Sequence, residues 1–153
     1  MSHKLLVEKP SCDNIEYVIE EKNLSGSTEK RMWITGEYMM SEDRNRNGRV
    51  YRRDEMEREV KAYNENFINQ KRSMGELNHP TAAEVDLERA CHVVTELHMD
   101  RNVAMGKSMV LSTPCGKILE SLIKDGVKVG VSSRALGQLV PMEGKEDLSL
   151  IHI

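Results

Sequence analysis

Short β-rich runs separated by turn residues occupy much of this chain, and two stretches carry a helical pattern instead. Lys4–Glu8 and Ile15–Glu20 read as short strands, with Pro10–Asn14 as the turn between them. Ser25–Lys30 is polar throughout and reads as a loop. Arg31–Met40 reads as a strand, with bulk from Trp33, Tyr38 and Met40. Asn45–Gly48 is turn material, because Asn and Gly adopt positive φ at low cost. From Arg52 to Ile68 the pattern is helical: Met56, Val60, Tyr63 and Phe67 follow at steps of four, three and four and share one face. Asp54 and Glu55 stand in the first turn, where carboxylates oppose the helix dipole. Gln70–Pro80 reads as an extended loop. His92–Met99 and Asn102–Ser112 form a hairpin pattern around Asp100–Arg101. Thr113 and Pro114 suit the cap and first position of a second helix, with Ile118, Leu119, Leu122 and Ile123 as its buried face and Gly126 as its stop. Val127–Val131 is a short β-rich run ending at Ser132. Strands outnumber helices and the helices are interspersed. The pattern predicts an α+β fold: a mostly antiparallel sheet or barrel with helices packed outside.

At 153 residues the chain is one domain with room for a core. A net charge of −3 with 31% charged residues gives no case for nucleic acid as a partner, which usually shows as a basic excess. No apolar run approaches the roughly 18 residues of a membrane span, and Met1–Glu8 lacks the apolar core of a signal peptide. Three scattered cysteines, Cys12, Cys91 and Cys115, fit neither a disulfide framework nor a zinc site and point to a reducing compartment. Ten Met against one Phe and one Trp predict an adaptable core with few aromatic anchors. Neither a metal cluster, a phosphate loop nor a dinucleotide fingerprint is present, and Gly106–Lys107–Ser108 lacks the first glycine of a Walker loop. No cofactor and no metal are expected.

Two stretches carry candidate chemistry: Met74–Gly75–Glu76–Leu77–Asn78–His79–Pro80 and Val129–Gly130–Val131–Ser132–Ser133–Arg134–Ala135–Leu136–Gly137. Serine is a poor nucleophile until a base takes its proton, and histidine is the side chain titrating near neutrality. His3 lies at the N-terminus and His152 at the C-terminus. His92 and His98, six apart on one expected strand, should face the same side. His79 lies on a loop punctuated by Gly75 and Pro80, the kind of position where catalytic groups are carried by a rigid scaffold. Ser132 and Ser133, on extended backbone, point to opposite faces. On the residues alone, a surface histidine and a polar strand end stand beside a Ser–His pair.

The two stretches in this order, with Asn45–Arg46–Asn47–Gly48–Arg49–Val50–Tyr51 as a third anchor, closely resemble the prohead core proteases of tailed bacteriophages of the myovirus type. These are capsid-maturation serine proteases related in fold to the herpesvirus assembly proteases. The resemblance runs from about Trp33 to Leu139. It implies a β-barrel of herpesvirus-protease type, C-terminally truncated here. It implies a serine endopeptidase that cuts phage scaffold and capsid proteins, after glutamate, during head maturation inside the prohead in the host cytoplasm. It places the nucleophile on Ser132 and the general base on His79. Ser133 and Arg134 fall in the oxyanion region, with a surface or salt-bridged arginine as the other reading of Arg134. The third catalytic member is an acid after the serine in the resembling phage enzymes and a second histidine in the herpesvirus relatives, in both cases past Asp147. Within the chain, Glu76, Asp86 and His92 are the fallbacks, Glu76 also reading as a brace for its loop. The five arginines Arg44, Arg46, Arg49, Arg52 and Arg53 form a solvated segment or a basic rim for an acidic peptide. Expected partners are scaffold and capsid proteins and further copies of the chain. The rival reading is a non-enzymatic head scaffold or structural protein on a similar barrel.

Leu148–Ser149–Leu150–Ile151–His152–Ile153 follows a polar segment without turn chemistry, and it matches one reading frame of a common transposon-end sequencing adapter. The protease domain is therefore expected to span residues 1–147, with 148–153 a read-through scar that makes no packed contacts and a natural protein that continues past Asp147.

Overall fold

The computed structural model of the chain describes residues 4–7, 14–45, 48–78, 82–142 and 145–152. Nine strands and two α-helices run along it among the described residues. Strand β1 is Lys4–Val7, β2 is Ile15–Leu24, β3 is Ser27–Met40 and β4 is Arg49–Tyr51. Helix α1, Arg53–Tyr63, runs on as one π-helical turn, Asn64–Ile68. Strand β5 is Met74–Glu76, β6 is Ala90–Asp100 and β7 is Val103–Val110. Helix α2 is Pro114–Lys124, followed by β8, Arg134–Met142, and β9, Lys145–His152.

The strands form two sheets. One has the order β2-β3-β7-β6-β5, and the other β1-β8-β9-β4. The five-stranded sheet is antiparallel throughout. In the second sheet β4 and β9 run parallel. The expected mixed, mainly antiparallel fold with helices packed on it is what the chain adopts, but as two sheets rather than one continuous barrel wall. A shared core joins them. Leu6, Tyr51 and Ala135 from the four-stranded sheet pack with Val94, Leu97 and Ala104 from the other, and Met56 and Val60 of α1 fill the space between. A second cluster, Met32, Ile34, Cys91, Val110 and Leu119, seats α2 on the five-stranded sheet.

Local chemistry explains both helices. Asp54 and Glu55 occupy the first turn of α1 and Lys61 its last, complementing the dipole. Met56 and Val60 are buried, Tyr63 stacks at 5.2 Å on Phe67, and Phe67 itself is exposed. Thr113 caps α2 by accepting from Gly116 N–H at 3.1 Å, with Pro114 behind it. Gly126, at φ +85°, ends the helix by donating to Ile123 O at 3.0 Å.

Several expectations are corrected. The loop expected at Ser25–Lys30 is the start of β3, paired back onto β2 around Ser25–Gly26. It is polar because β7 joins β3 only from Trp33 onward, so the hairpin tip is solvated on both faces. Opposed charges occupy it instead of apolar residues, with Lys30 3.1 Å from Glu21 directly across the pair. Of the four residues expected to form the inner face of α2, Leu119 is buried and Ile123 packs on the core, but Ile118 and Leu122 are 50% and 36% exposed. The helix meets the sheet along a stripe narrower than its apolar arc.

His92 and His98 do not share a face. A bulge between Val94 and Glu96 shifts the register, so His92 lies opposite Val110 and His98 opposite Met105. Those partners are five residues apart on β7 and therefore face opposite ways. Residues 148–152 do not stay clear of the fold. Leu148 pairs with Tyr51 and Leu139, and Leu150, Ile151 and His152 continue the antiparallel ladder on Gln138, Gly137 and Leu136. Ladder pairing needs only backbone N–H and C=O groups, which β8 offers along this edge. Ile153 lies outside the described residues.

Candidate active site

The histidine-bearing segment starts from β5, which was hidden inside an expected loop. Met74 pairs with Val93, Gly75 with His92 and Glu76 with Ala90, with a bulge between Gly75 and Glu76. Buried Ser73 fastens the strand's start. Its hydroxyl donates to Val94 O at 2.5 Å, and its carbonyl accepts from Val94 N–H at 2.8 Å. Leu77 N–H then donates to Arg89 O at 3.1 Å, and Asn78 takes the left-handed conformation at φ +69°. His79, Pro80 and Thr81 lie outside the described residues, as do Cys12 and Arg46.

Gly75 is required by what lies across from it. A Cβ there would stand 1.9 Å from Nε2 of His92. Gly75→Ala is expected to destabilise the protein by about 1–3 kcal/mol, the usual range for overpacking. Urea unfolding checks it, and Gly75→Ala combined with His92→Ala should recover part of the loss. An additive double mutant would show that the clash is not the cause.

The serine-bearing segment approaches from the opposite side of the chain. Of Val127–Val131, expected as a strand, residues 127–130 join no ladder and Val131 makes a single bridge; Val127 N–H donates to Leu122 O at 2.9 Å, and at Val129 the backbone is held by a side chain. The Tyr17 hydroxyl donates to Val129 O and accepts from Val129 N–H, the latter at 3.0 Å. Ser132 and Ser133 follow, both partly buried, and β8 begins at Arg134, paired with Val7.

The two segments meet in an ion pair. Arg134 Nη2 lies 2.8 Å from Glu76 Oε1, with the arginine side chain 17% exposed and the glutamate 3%. Glu76 stands three residues before His79, and Arg134 two after Ser132. The same Oε1 accepts from Asp86 N–H at 3.0 Å. The Asp86 carboxylate is used locally: it accepts from Glu88 N–H at 3.0 Å and caps the 3-10 turn Leu87–Arg89. Glu76 Oε2 and His92 Nδ1 are buried with no hydrogen-bond partner among the described residues. Burial lowers the His92 pKa from 6.5 to about 4, which keeps the imidazole neutral. Burial, with Cys115 and Glu76 adding to it, pushes the Cys91 thiol up to about 12, so it is not a nucleophile near neutral pH.

The Glu76–Arg134 pair is the feature that reading along the chain missed. Its signal was present as one acid and one base, each within three residues of the candidate histidine or serine. Among the described residues, no group of three or more His, Cys, Asp or Glu side chains could hold a metal ion. Among the same residues, no helix is long and apolar enough to cross a membrane.

The chain is similar to known proteins along most of its length. Residues 9–150 match the family model described as prohead core protein serine protease. A relative from Enterobacteria phage T4, the prohead core protein protease, is 36% identical over 110 residues. That match covers 71% of this chain and 52% of the relative, so the chain spans about half the length of the curated relative it matches. The solved structure of the bacteriophage T4 capsid assembly protease, gp21, superposes with a TM-score of 0.86 at 28% identity. It covers 100% of this chain and 96% of that one. With the family model matching nearly the whole length, the chain belongs to the family of prohead core protein serine proteases.

Proposed function

We propose that this chain is a serine endopeptidase of prohead maturation, with Ser132 as nucleophile and His79 as general base. The observation that carries the reading is the buried Glu76–Arg134 pair, because it joins the two segments that hold those residues. In the reaction, His79 removes the Ser132 proton as the hydroxyl oxygen attacks the scissile carbonyl. The tetrahedral oxyanion is met by backbone N–H groups of Ser133 and Arg134, since the Arg134 guanidinium is already engaged by Glu76. Collapse of the intermediate expels the peptide amine, which takes the proton from His79. Water then hydrolyses the acyl-enzyme by the same steps in reverse roles. We place the acid that orients His79 C-terminal to Ser132, as the resemblance implies. Asp86 caps its own turn and His92 sits opposite Gly75.

The substrates on this reading are phage scaffold and capsid proteins, cut after glutamate inside the assembling prohead. Arg44, Arg49, Arg52 and Arg53 supply a basic rim near the end of β4, although Arg53 also pairs with Glu57 at 3.0 Å. The two sheets, sharing one core, are read as the halves of a herpesvirus-type barrel. The test incubates this chain and its full reading frame, in parallel, with a glutamate-containing scaffold peptide and follows products by mass spectrometry. Cleavage after glutamate that His79→Ala abolishes is expected. No cleavage by either protein, or cleavage untouched by His79→Ala, overturns the reading in favour of a non-enzymatic head component.

A further inference from the structure

One carboxylate oxygen accepts two hydrogen bonds at the junction of the two motif segments. Glu76 sits on β5, at the entry to the segment that carries the candidate base. Its Oε1 accepts from Asp86 N–H at 3.0 Å, which fastens the chain where that segment returns toward β6. The same oxygen receives Arg134 Nη2 at 2.8 Å, which fastens the first residue of β8 beside the candidate nucleophile. Entry, return and serine strand therefore converge on a single atom.

The environment makes that convergence stiff. The glutamate side chain is 3% exposed and the arginine 17%, so solvent screening is weak and the charge-assisted contacts are short. The backbone on both sides is independently anchored. Ser73 and Leu77 bond to Val94 and Arg89, and Asp86 starts a capped turn. A carboxylate held on a fixed strand can set the position of what it binds. One on a mobile loop would follow its partners instead.

We infer that Glu76 is a positioning residue whose carboxylate, through Asp86 N–H and the Arg134 guanidinium, fixes the separation of the histidine-bearing and serine-bearing segments. The inference rests on the proposed protease activity for its kinetic consequence but not for its structural one. Misplacement of a reacting group by about 1 Å is enough to cost on the order of 10²-fold in rate. The loss belongs in kcat, since neither the Glu76 carboxylate nor the Arg134 guanidinium needs to touch the substrate to exert it.

The experiment uses the chain and its full reading frame, with Glu76→Gln, Arg134→Met and the charge swap Glu76→Arg/Arg134→Glu. Four quantities are read: circular dichroism for folding, kcat and KM on the glutamate-containing peptide, and amide hydrogen exchange in residues 82–86. Glu76→Gln and Arg134→Met should fold, lose at least tenfold in kcat with KM changed less than threefold, and exchange faster in 82–86. The charge swap should regain a good part of the kcat lost by either single change. A folded Glu76→Gln protein with wild-type kcat and wild-type exchange overturns the inference. So does equal loss in kcat and stability with no recovery in the swap, the mark of a merely structural pair. If Glu76→Gln does not fold, Arg134→Met and the swap decide on the same criteria. If the unsubstituted proteins do not cleave, the protease reading fails, and exchange in 82–86 alone still decides the positioning role.

Discussion

Replacing Ser132 by alanine is expected to abolish peptide cleavage, lowering kcat by about 10⁴-fold or more. The magnitude follows from the logic of a nucleophile. Without the hydroxyl no acyl-enzyme forms, and the residual rate is that of water activated in an otherwise intact site, as in serine proteases generally. Ser133→Ala is the internal control. On extended backbone the neighbouring side chain points away, and its backbone N–H survives the substitution. Ser133→Ala should therefore keep most of the activity. Both residues are only partly buried, so neither change opens a core cavity. Ser132→Ala running at the wild-type rate, or Ser133→Ala losing as much as Ser132→Ala, would reassign the nucleophile.

Acidification should destabilise the protein through His92. Burial lowers its pKa from 6.5 to about 4 in the folded state, while the unfolded chain keeps the ordinary value. The sign follows from proton counts. Above pH 6.5 the imidazole is neutral in both states and contributes no pH dependence. Between 6.5 and about 4 the unfolded state binds the proton and the folded state does not, so stability falls as pH falls. Below about 4 both states are protonated and the loss levels off at about 3 kcal/mol. Urea unfolding at pH 7 and at pH 4.5 measures it, with His92→Phe as the reference that lacks the titrating ring. The substituted protein should lose less stability between those pH values. Parallel losses in the two proteins would show that the imidazole is accessible to protons in the folded state.

The sequence made the helices legible because their signals are local. The spacing of Met56, Val60 and Tyr63, and the Thr113–Pro114 cap, needed no tertiary information. It did not reveal β5, because three residues are too few to display a period. It misjudged Ser25–Lys30, because a hairpin solvated on both faces carries charge where a strand normally carries apolar residues. It put His92 and His98 on one face, because a bulge costs one residue of phase and leaves no mark in composition. The resemblance points to Ser132 and His79 as a motif pair, whereas nothing along the chain points to the Glu76–Arg134 contact, since it spans 58 residues. The role of a charge in such a contact is fixed by whatever the fold brings opposite it.

Tyr17 gives the serine-bearing segment a property that a ladder could not. A strand edge releases its neighbour one rung at a time, whereas Val129 is held by a single phenol that both gives and takes. The attachment behaves as a latch: made or broken in one event, with β2, the latch's other half, at the outer edge of its sheet. Val129 and Val131 also pack against the cluster that seats α2, so an opening of this segment breaks the phenol's bonds and gives up that packing together. The free energy of that opening can be tuned at Tyr17, a residue remote in sequence from the candidate nucleophile.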